Sequence, residues 1–171
     1  MISDPLRIAD TPMTLIHRTG FLFLTAFFIL LLSSCDDRRF FEESIKIDNG
    51  RWRSDNILPF SVVITDTSTT YNVYLDVRND ISYPFSNLYL FLKTLHPNGQ
   101  VTRDTIECTL AGYDGKWLGS GSGSVRFNRF LFQRGMRFRI PGTYLLELEQ
   151  AMRTEELPGI RDIGLRIDKV H

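Results

Sequence analysis

The amino-acid sequence predicts a mainly β protein, with one antiparallel β-sandwich or jelly-roll-like domain behind a separate N-terminal segment. Three observations lead to this prediction. Apolar residues recur with a period near two from residue 57 to residue 170, which places alternate side chains on opposite faces of a sheet. Turn-forming residues interrupt these runs roughly every ten to fifteen residues. No long stretch between the runs shows the 3.6-residue period of a crossover helix, which argues against an α/β fold.

The alternation predicts eight strands. The second strand is the clearest, because Val73, Leu75 and Val77 alternate with more polar residues, as in a half-buried sheet. The predicted strands are 57–65, 71–78, 87–95, 101–110, 124–133, 137–140, 143–150 and 159–170.

Turn chemistry separates the strands. His96-Pro97-Asn98-Gly99 is a strong hairpin signal. Residues 119–123 read GSGSG, but a strand and not a helix follows, so a connection is favoured over a phosphate-binding loop. The one helical candidate, 151–157, precedes Pro158-Gly159 and is interpreted as a loop insertion.

The N-terminal segment has the composition of an export signal. Residues 21–32 are twelve uncharged, almost wholly apolar residues, whereas a helix that crosses a bilayer needs about twenty. His17 and Arg18 precede this run, as in a positively biased leader. Met13 is as good a start as Met1.

Leu32, Ser33, Ser34 and Cys35 follow the apolar run, and this Leu-small-small-Cys order resembles the lipobox of bacterial lipoproteins. It predicts cleavage between Ser34 and Cys35 and attachment of diacylglycerol and an N-acyl chain to Cys35. A single acyl chain binds membranes reversibly, whereas two or three chains make dissociation negligible. The predicted organisation is a signal peptide over 1–34, a lipidated N-terminus and tether over 35–53, and a β-sandwich over 54–171.

Composition argues against several functions. Twenty basic and twenty acidic residues give zero net charge, so no electrostatic attraction to nucleic acid is predicted. After cleavage only His96 and His171 remain, so we expect no metal site or catalytic triad. The scarcity of histidine and the absence of a nucleophile motif also rank a hydrolase third among the possible functions. Cys108 alternates with Ile106 and Leu110 and is expected to be a buried free thiol.

Two charged patterns have more than one interpretation. Glu147 and Glu149 are expected on the solvent-exposed face of a strand, with Leu146 and Leu148 on its buried face. An arginine-rich run indicates a basic outer sheet face for an acidic partner protein, a lipid headgroup or an anionic glycan, or else ordinary alternation with solvated arginines. That run contains Arg126, Arg129, Arg134, Arg137 and Arg139, interleaved with Phe127, Phe130, Phe132 and Phe138.

Stretches across the mature chain carry a family resemblance. They are the lipobox, YNVYLDVRN (71–79), YPFSNL (83–88), HPNG (96–99) with Asp104-Thr105, GKWLG (115–119), EQAMR (149–153) leading to LPGI (157–160), and GLR (164–166). In this order and spacing they resemble the GldH family of gliding-motility lipoproteins of Bacteroidetes.

The resemblance implies a lipid-anchored envelope component, most naturally in the outer membrane, that is needed for gliding and is associated with type IX secretion. It implies partners among other envelope motility or secretion proteins, and no enzyme activity, nucleic acid or small-molecule substrate. Only Cys35 carries over as a functional residue. The alternative is an envelope glycan-binding module, in which Trp52, Tyr83 and Trp117 would stack on sugar rings.

Overall fold

The computed structural model describes residues 38–170, and most of these residues lie in strands. One short 3-10 turn, Asp48–Gly50, is the only helical element of the described chain. The strands are β1 (Arg39–Lys46), β2 (Arg51–Arg53), β3 (Leu58–Ile64), β4 (Thr70–Asp80), β5 (Asn87–Leu95), β6 (Val101–Thr109), β7 (Val125–Met136), β8 (Gly142–Gln150), β9 (Glu156–Pro158) and β10 (Ile160–Val170).

The strands form two four-stranded sheets, which pack as a sandwich, and one short ribbon. Sheet I has the order β1-β10-β4-β7, and sheet II has the order β3-β8-β5-β6. The ribbon pairs β2 with β9. Every pairing is antiparallel. The predicted fold class is therefore confirmed.

The core lies between the sheets because each strand directs alternate side chains inward. In β3 the residues Leu58, Phe60, Val62 and Ile64 are buried and the intervening ones are exposed. In sheet I the buried residues of β10 and β4 face the same side in register. These pairs are Ile163 with Val77, Leu165 with Leu75 and Ile167 with Val73. Each such side chain contributes about 1.5–3 kcal/mol by leaving water.

Seven of the eight predicted strands are present, with ends that differ by at most three residues. The prediction of a strand over 137–140 is wrong, since β7 ends at Met136 and irregular chain follows. Gly135 has a φ of +61°, a backbone conformation that interrupts a regular strand. Phe138 is nevertheless buried. The alternating pattern at 137–140 therefore comes from a single buried side chain, and these residues do not pair with a neighbouring strand.

The predicted hairpin at His96 to Gly99 is confirmed. Leu95 pairs with Val101 across the turn, and the His96 amide donates to the Gln100 carbonyl at 2.8 Å. Gly99 has a φ of +82°, where a residue with a Cβ would be strained. Residues 151–155 form a loop without a helix, as interpreted, and β9 begins at Glu156.

The predicted tether over 35–53 is corrected for residues 39–53. There β1 pairs with β10 along its length, and Trp52 of β2 is completely buried. Phe41 and Ile45 of β1 pack against the core without a clean alternation, because β1 is an edge strand that is only half covered. Sandwich structure therefore begins at Arg39 and not at residue 54. Cys35 and the predicted signal peptide lie outside the described residues.

Residues 38–170 belong to one compact unit. Within residues 38–170 no helix is long and apolar enough to cross a membrane.

Candidate binding surface

The outer face of sheet I carries a closed network of charges. Arg129 of β7 lies opposite Asp76 of β4 in the strand register. Its guanidinium donates to both carboxylate oxygens of Asp76, at 2.7 and 2.6 Å, and to Glu42 of β1 at 2.9 Å. Such two-pronged pairs are the strongest that arginine makes. Asp76 is only 8% exposed, so this bond satisfies a carboxylate that water reaches poorly.

A glycine makes room for this network. Gly164 of β10 pairs with Asp76 of β4, and a Cβ there would meet the Asp76 Cβ at 3.1 Å and the Glu43 carbonyl oxygen at 3.2 Å. Partial burial pushes the pKa of Glu42 upward, but hydrogen bonds from Arg39 and Arg129 outweigh that effect and hold the pKa below its usual value. The network is therefore assembled around anions that are stabilised in the folded state.

The other buried carboxylates of the described chain are also matched with arginine. Arg161 Nε lies 2.8 Å from Asp80, and Arg78 lies 3.3 Å from Asp162. The Ser44 hydroxyl also donates to Asp162, at 3.1 Å. The two ion pairs join β10 to β4, and the hydrogen bond from Ser44 joins β1 to β10, so these contacts hold sheet I together.

A cavity of about 320 Å³ lies between the sheets at the edge formed by β6 and β7. Its floor is apolar and comes from both sheets and from the segment after β7. The floor residues are Val73, Leu92, Phe138, Tyr144 and Leu146. Its mouth carries Gln100, Thr102, Asp104, Gln133, Arg137 and Arg139.

Phe138 positions the two arginines at the mouth. Its ring packs edge-on against Tyr71, with the centroids 5.5 Å apart, and against Tyr144 at 4.8 Å. The Tyr144 hydroxyl donates to the Ile140 carbonyl at 2.9 Å, which fixes the end of the same segment. Arg137 and Arg139 flank this anchor and are exposed.

The arginine-rich run does not form one basic sheet face, which corrects that interpretation. Arg129 belongs to the sheet I network, and Arg126 donates to the carbonyls of Gly123 and Val125. Arg137 and Arg139 border the cavity and make no ion pair within residues 38–170. Sequence analysis missed the cavity, because its lining comes from five strands, the hairpin turn after β5 and the segment after β7.

The expectations for Glu147, Glu149 and Cys108 are confirmed. Leu146 and Leu148 are buried, while Glu147 pairs with Lys93 at 2.7 Å and Glu149 with Arg103 at 3.4 Å. Cys108 is a buried free thiol, and burial raises its pKa to about 12.

The GSGSG run over 119–123 is a connection into β7, as predicted. Within residues 38–170 no group of three or more metal-ligating side chains occurs.

The aromatic residues suggested for sugar stacking are largely unavailable, which corrects that expectation. Trp52 and Tyr83 are buried. The Trp52 indole N–H donates to the Asn56 carbonyl at 2.8 Å, and the Tyr83 hydroxyl donates to the Asn87 carbonyl at 3.0 Å. Trp117 packs against the core and is half-buried. The rings of Trp52 and Tyr83 therefore stabilise the domain and present no stacking platform.

These features define an antiparallel β-sandwich with a neutralised outer face on one sheet and a cavity open at one edge. Residues 39–167 match the family model described as GldH lipoprotein. The chain therefore belongs to the GldH lipoprotein family.

Two curated relatives cover most of the chain. The gliding motility lipoprotein GldH homolog of Christiangramia forsetii is 34% identical over 155 residues, which is 86% of this chain and 94% of the relative. The gliding motility lipoprotein GldH of Flavobacterium johnsoniae is 31% identical over 161 residues, which is 90% of this chain and 98% of the relative.

Two solved structures match this chain at much lower sequence identity. TmCBM61 in complex with beta-1,4-galactotriose covers 72% of this chain and 80% of its own, at 14% identity and a TM-score of 0.36. Dimeric latent PorU from Porphyromonas gingivalis covers 80% of this chain and 14% of its own, at 11% identity and a TM-score of 0.33. Such low TM-scores indicate neither a shared ligand nor a shared partner.

Proposed function

We propose that this protein is a non-enzymatic accessory component of the gliding-motility and type IX secretion machinery, anchored in the outer membrane through lipids on Cys35. The observation that carries the proposal is the family match over residues 39–167, together with relatives named as gliding-motility lipoproteins over nearly their full lengths. The protein acts by binding other envelope proteins.

The anchor rests on the lipobox at Leu32 to Cys35. Two or three acyl chains on Cys35 hold the domain at the membrane permanently. Since β1 starts at Arg39, only three residues separate the lipidated residue from the sandwich, so the domain sits close to the headgroups.

The surroundings of three buried carboxylates and of Cys108 argue against catalysis by these groups. The buried carboxylates Asp76, Asp80 and Asp162 are each paired with an arginine across strands, an arrangement that stabilises the sheet. General acid or base catalysis uses a carboxylate or histidine that can exchange its proton with a substrate. Cys108 is buried and protonated, so it is a poor nucleophile.

Replacing the lipidated cysteine tests the anchor. We expect Cys35→Ala to abolish incorporation of labelled palmitate and to release the protein from sedimented membranes, because the acyl chains supply the membrane affinity. Cys108→Ala is the matched control, since it removes the other cysteine of the chain and leaves the lipobox intact. Equal palmitate labelling and equal sedimentation of the Cys35→Ala variant would contradict the anchor.

Crosslinking in cells tests the partner assignment. A photoreactive amino acid introduced at Arg137 is expected to give crosslinks to envelope motility or secretion proteins, identified by mass spectrometry. The same amino acid at Lys46, which is exposed on the other edge of sheet I, serves as the control position. Crosslinks confined to lipids or to soluble periplasmic enzymes would count against the accessory role.

A further inference from the structure

The four edge strands of the sandwich differ in how well they could accept another strand. An exposed edge offers unpaired backbone groups to any extended chain, and proteins block edges with proline, bulges or irregular register. Edge strand β3 contains Pro59. The registers of β1 and β7 are interrupted. Only β6, among the described edges, keeps nine consecutive partners without a shift and without a proline.

The sandwich is open beneath the first half of β6. Side chains of β6 that point toward the other sheet alternate, and the later two, Ile106 and Cys108, are buried. The earlier two, Thr102 and Asp104, are exposed and line the cavity. A strand added along β6 would therefore lie directly over the cavity mouth.

The size of the cavity limits what enters it. Its volume of about 320 Å³ is at the lower end of the range for small-ligand pockets, about 300–1,000 Å³. It suits one or two apolar side chains that project from an extended segment. Strand addition supplies main-chain hydrogen bonds, while such pockets select alternate side chains.

The charged residues at the mouth determine which net charge a bound segment should carry. Arg137 and Arg139 have no ion pair within residues 38–170, unlike Arg129 in the same run. Asp104 is the one carboxylate of the cavity lining. Two guanidinium groups against one carboxylate favour an acidic partner, and arginine pairs with carboxylates in a directional, two-pronged geometry.

We propose that an extended segment of a partner protein, rich in acidic and apolar residues, adds to β6 as a further strand. Its apolar side chains fill the cavity between the sheets, and its carboxylates bind Arg137 and Arg139. This assignment rests on the proposed function and specifies the surface through which the protein contacts its partner.

A random-peptide display library provides the test. The lipidated protein is immobilised in lipid nanodiscs, and empty nanodiscs remove peptides that bind lipid. The expected result is a consensus that places Asp or Glu next to aromatic or aliphatic residues in an alternating pattern. No enrichment, or a consensus of basic residues, would overturn the proposal.

Matched variants locate the binding. The double variant Arg137→Gln, Arg139→Gln is expected to weaken binding of the selected peptide by about tenfold or more, since two charge-assisted contacts are lost. The control double variant Lys46→Gln, Arg53→Gln makes the same charge change at exposed sites on β1 and β2, away from β6 and the cavity, and should stay within about twofold. Asp104→Asn is expected to tighten binding, because it removes the opposing carboxylate. Equal losses in both double variants would refute the site.

Hydrogen exchange separates strand addition from simple pocket filling. Bound peptide should slow amide exchange in residues 101–109, with no comparable change in 39–46. Protection at β1 and not at β6 would overturn the proposal, and so would saturable binding of dodecanoate in the absence of any peptide consensus. Crosslinks from Arg137 to motility or secretion proteins without protection of β6 would support the proposed function and overturn strand addition, so the two can fail separately.

Discussion

The outer face of sheet I and the opening between β6 and β7 contain arginines from the same run of sequence, yet these arginines have opposite surroundings. Arg129 is bonded to Asp76 and Glu42, whereas Arg137 and Arg139 have no ion pair in the part of the chain that the structure describes. The comparison shows that arginine content alone does not reveal a binding surface. What matters is whether the protein itself already supplies the counter-charge.

The difference has a physical cause. A carboxylate that is largely removed from water must be paired or hydrogen-bonded, so Asp76 requires Arg129. Arg137 and Arg139 instead flank a segment that is held by an apolar anchor, Phe138, and their guanidinium groups stay in solvent. The charge of Arg129 stabilises the folded sheet, whereas the charges of Arg137 and Arg139 remain available to bind a partner.

The largest effect is expected from removing the anchor of the second region. Phe138→Ala should lower the free energy of unfolding by about 3–5 kcal/mol, the usual cost of truncating a buried aromatic residue. Phe138 is 3% exposed and contacts both Tyr71 and Tyr144. Urea unfolding followed by circular dichroism measures the change.

Leu131→Ala is the control for that substitution, because Leu131 lies on β7 and is 39% exposed. Its cost should be less than about 1 kcal/mol, since little apolar surface returns to water. A Phe138→Ala variant as stable as Leu131→Ala would mean that the segment after β7 is not held by the core.

The contrast between the paired and the unpaired arginines predicts different losses of stability, both smaller than the loss from Phe138→Ala. Arg129→Ala should destabilise the protein by about 1–3 kcal/mol, because it leaves Asp76 poorly solvated and without its main partner. Arg137→Ala should change stability by no more than about 0.5 kcal/mol, as expected for an exposed, unpaired side chain. Parallel urea unfolding curves test both, and equal costs would remove the distinction between the regions.

The smallest effect is a dependence of stability on pH in the sheet I network. The folded-state pKa of Glu42 is below its ordinary value of 4.5. Its stabilising contribution is therefore present at neutral pH and lost as the pH falls through 4.5 toward the folded pKa. Glu42→Gln should reduce the decline in stability over this range, by no more than about 1 kcal/mol for so accessible a pair.

Glu43→Gln serves as its control, since Glu43 is exposed and makes no ion pair within the described residues. Unfolding free energies measured from neutral pH to below 4.5 give the comparison. If Glu42→Gln and Glu43→Gln show the same pH dependence, the network does not hold Glu42 in its ionised form.

Local patterns predicted much of this fold. Val73, Leu75 and Val77 alternate with polar residues and form a buried strand face, and the turn at His96 to Gly99 forms the hairpin that its residues favour. Both signals act over a few residues. The strand over 39–46 was missed because an edge strand exposes residues on both faces, so its sequence lacks alternation.

By itself the sequence determined the sheet class, the hairpin and the direction of most side chains, because a period of two is imposed by the backbone of each strand. It also contains the motif at Leu32 to Cys35 that predicts the lipid anchor. Only the tertiary structure decided which arginines are neutralised and where the cavity opens. Arg129 and Asp76 are 53 residues apart in the sequence, and they come into contact only because β4 pairs with β7 in the folded sheet.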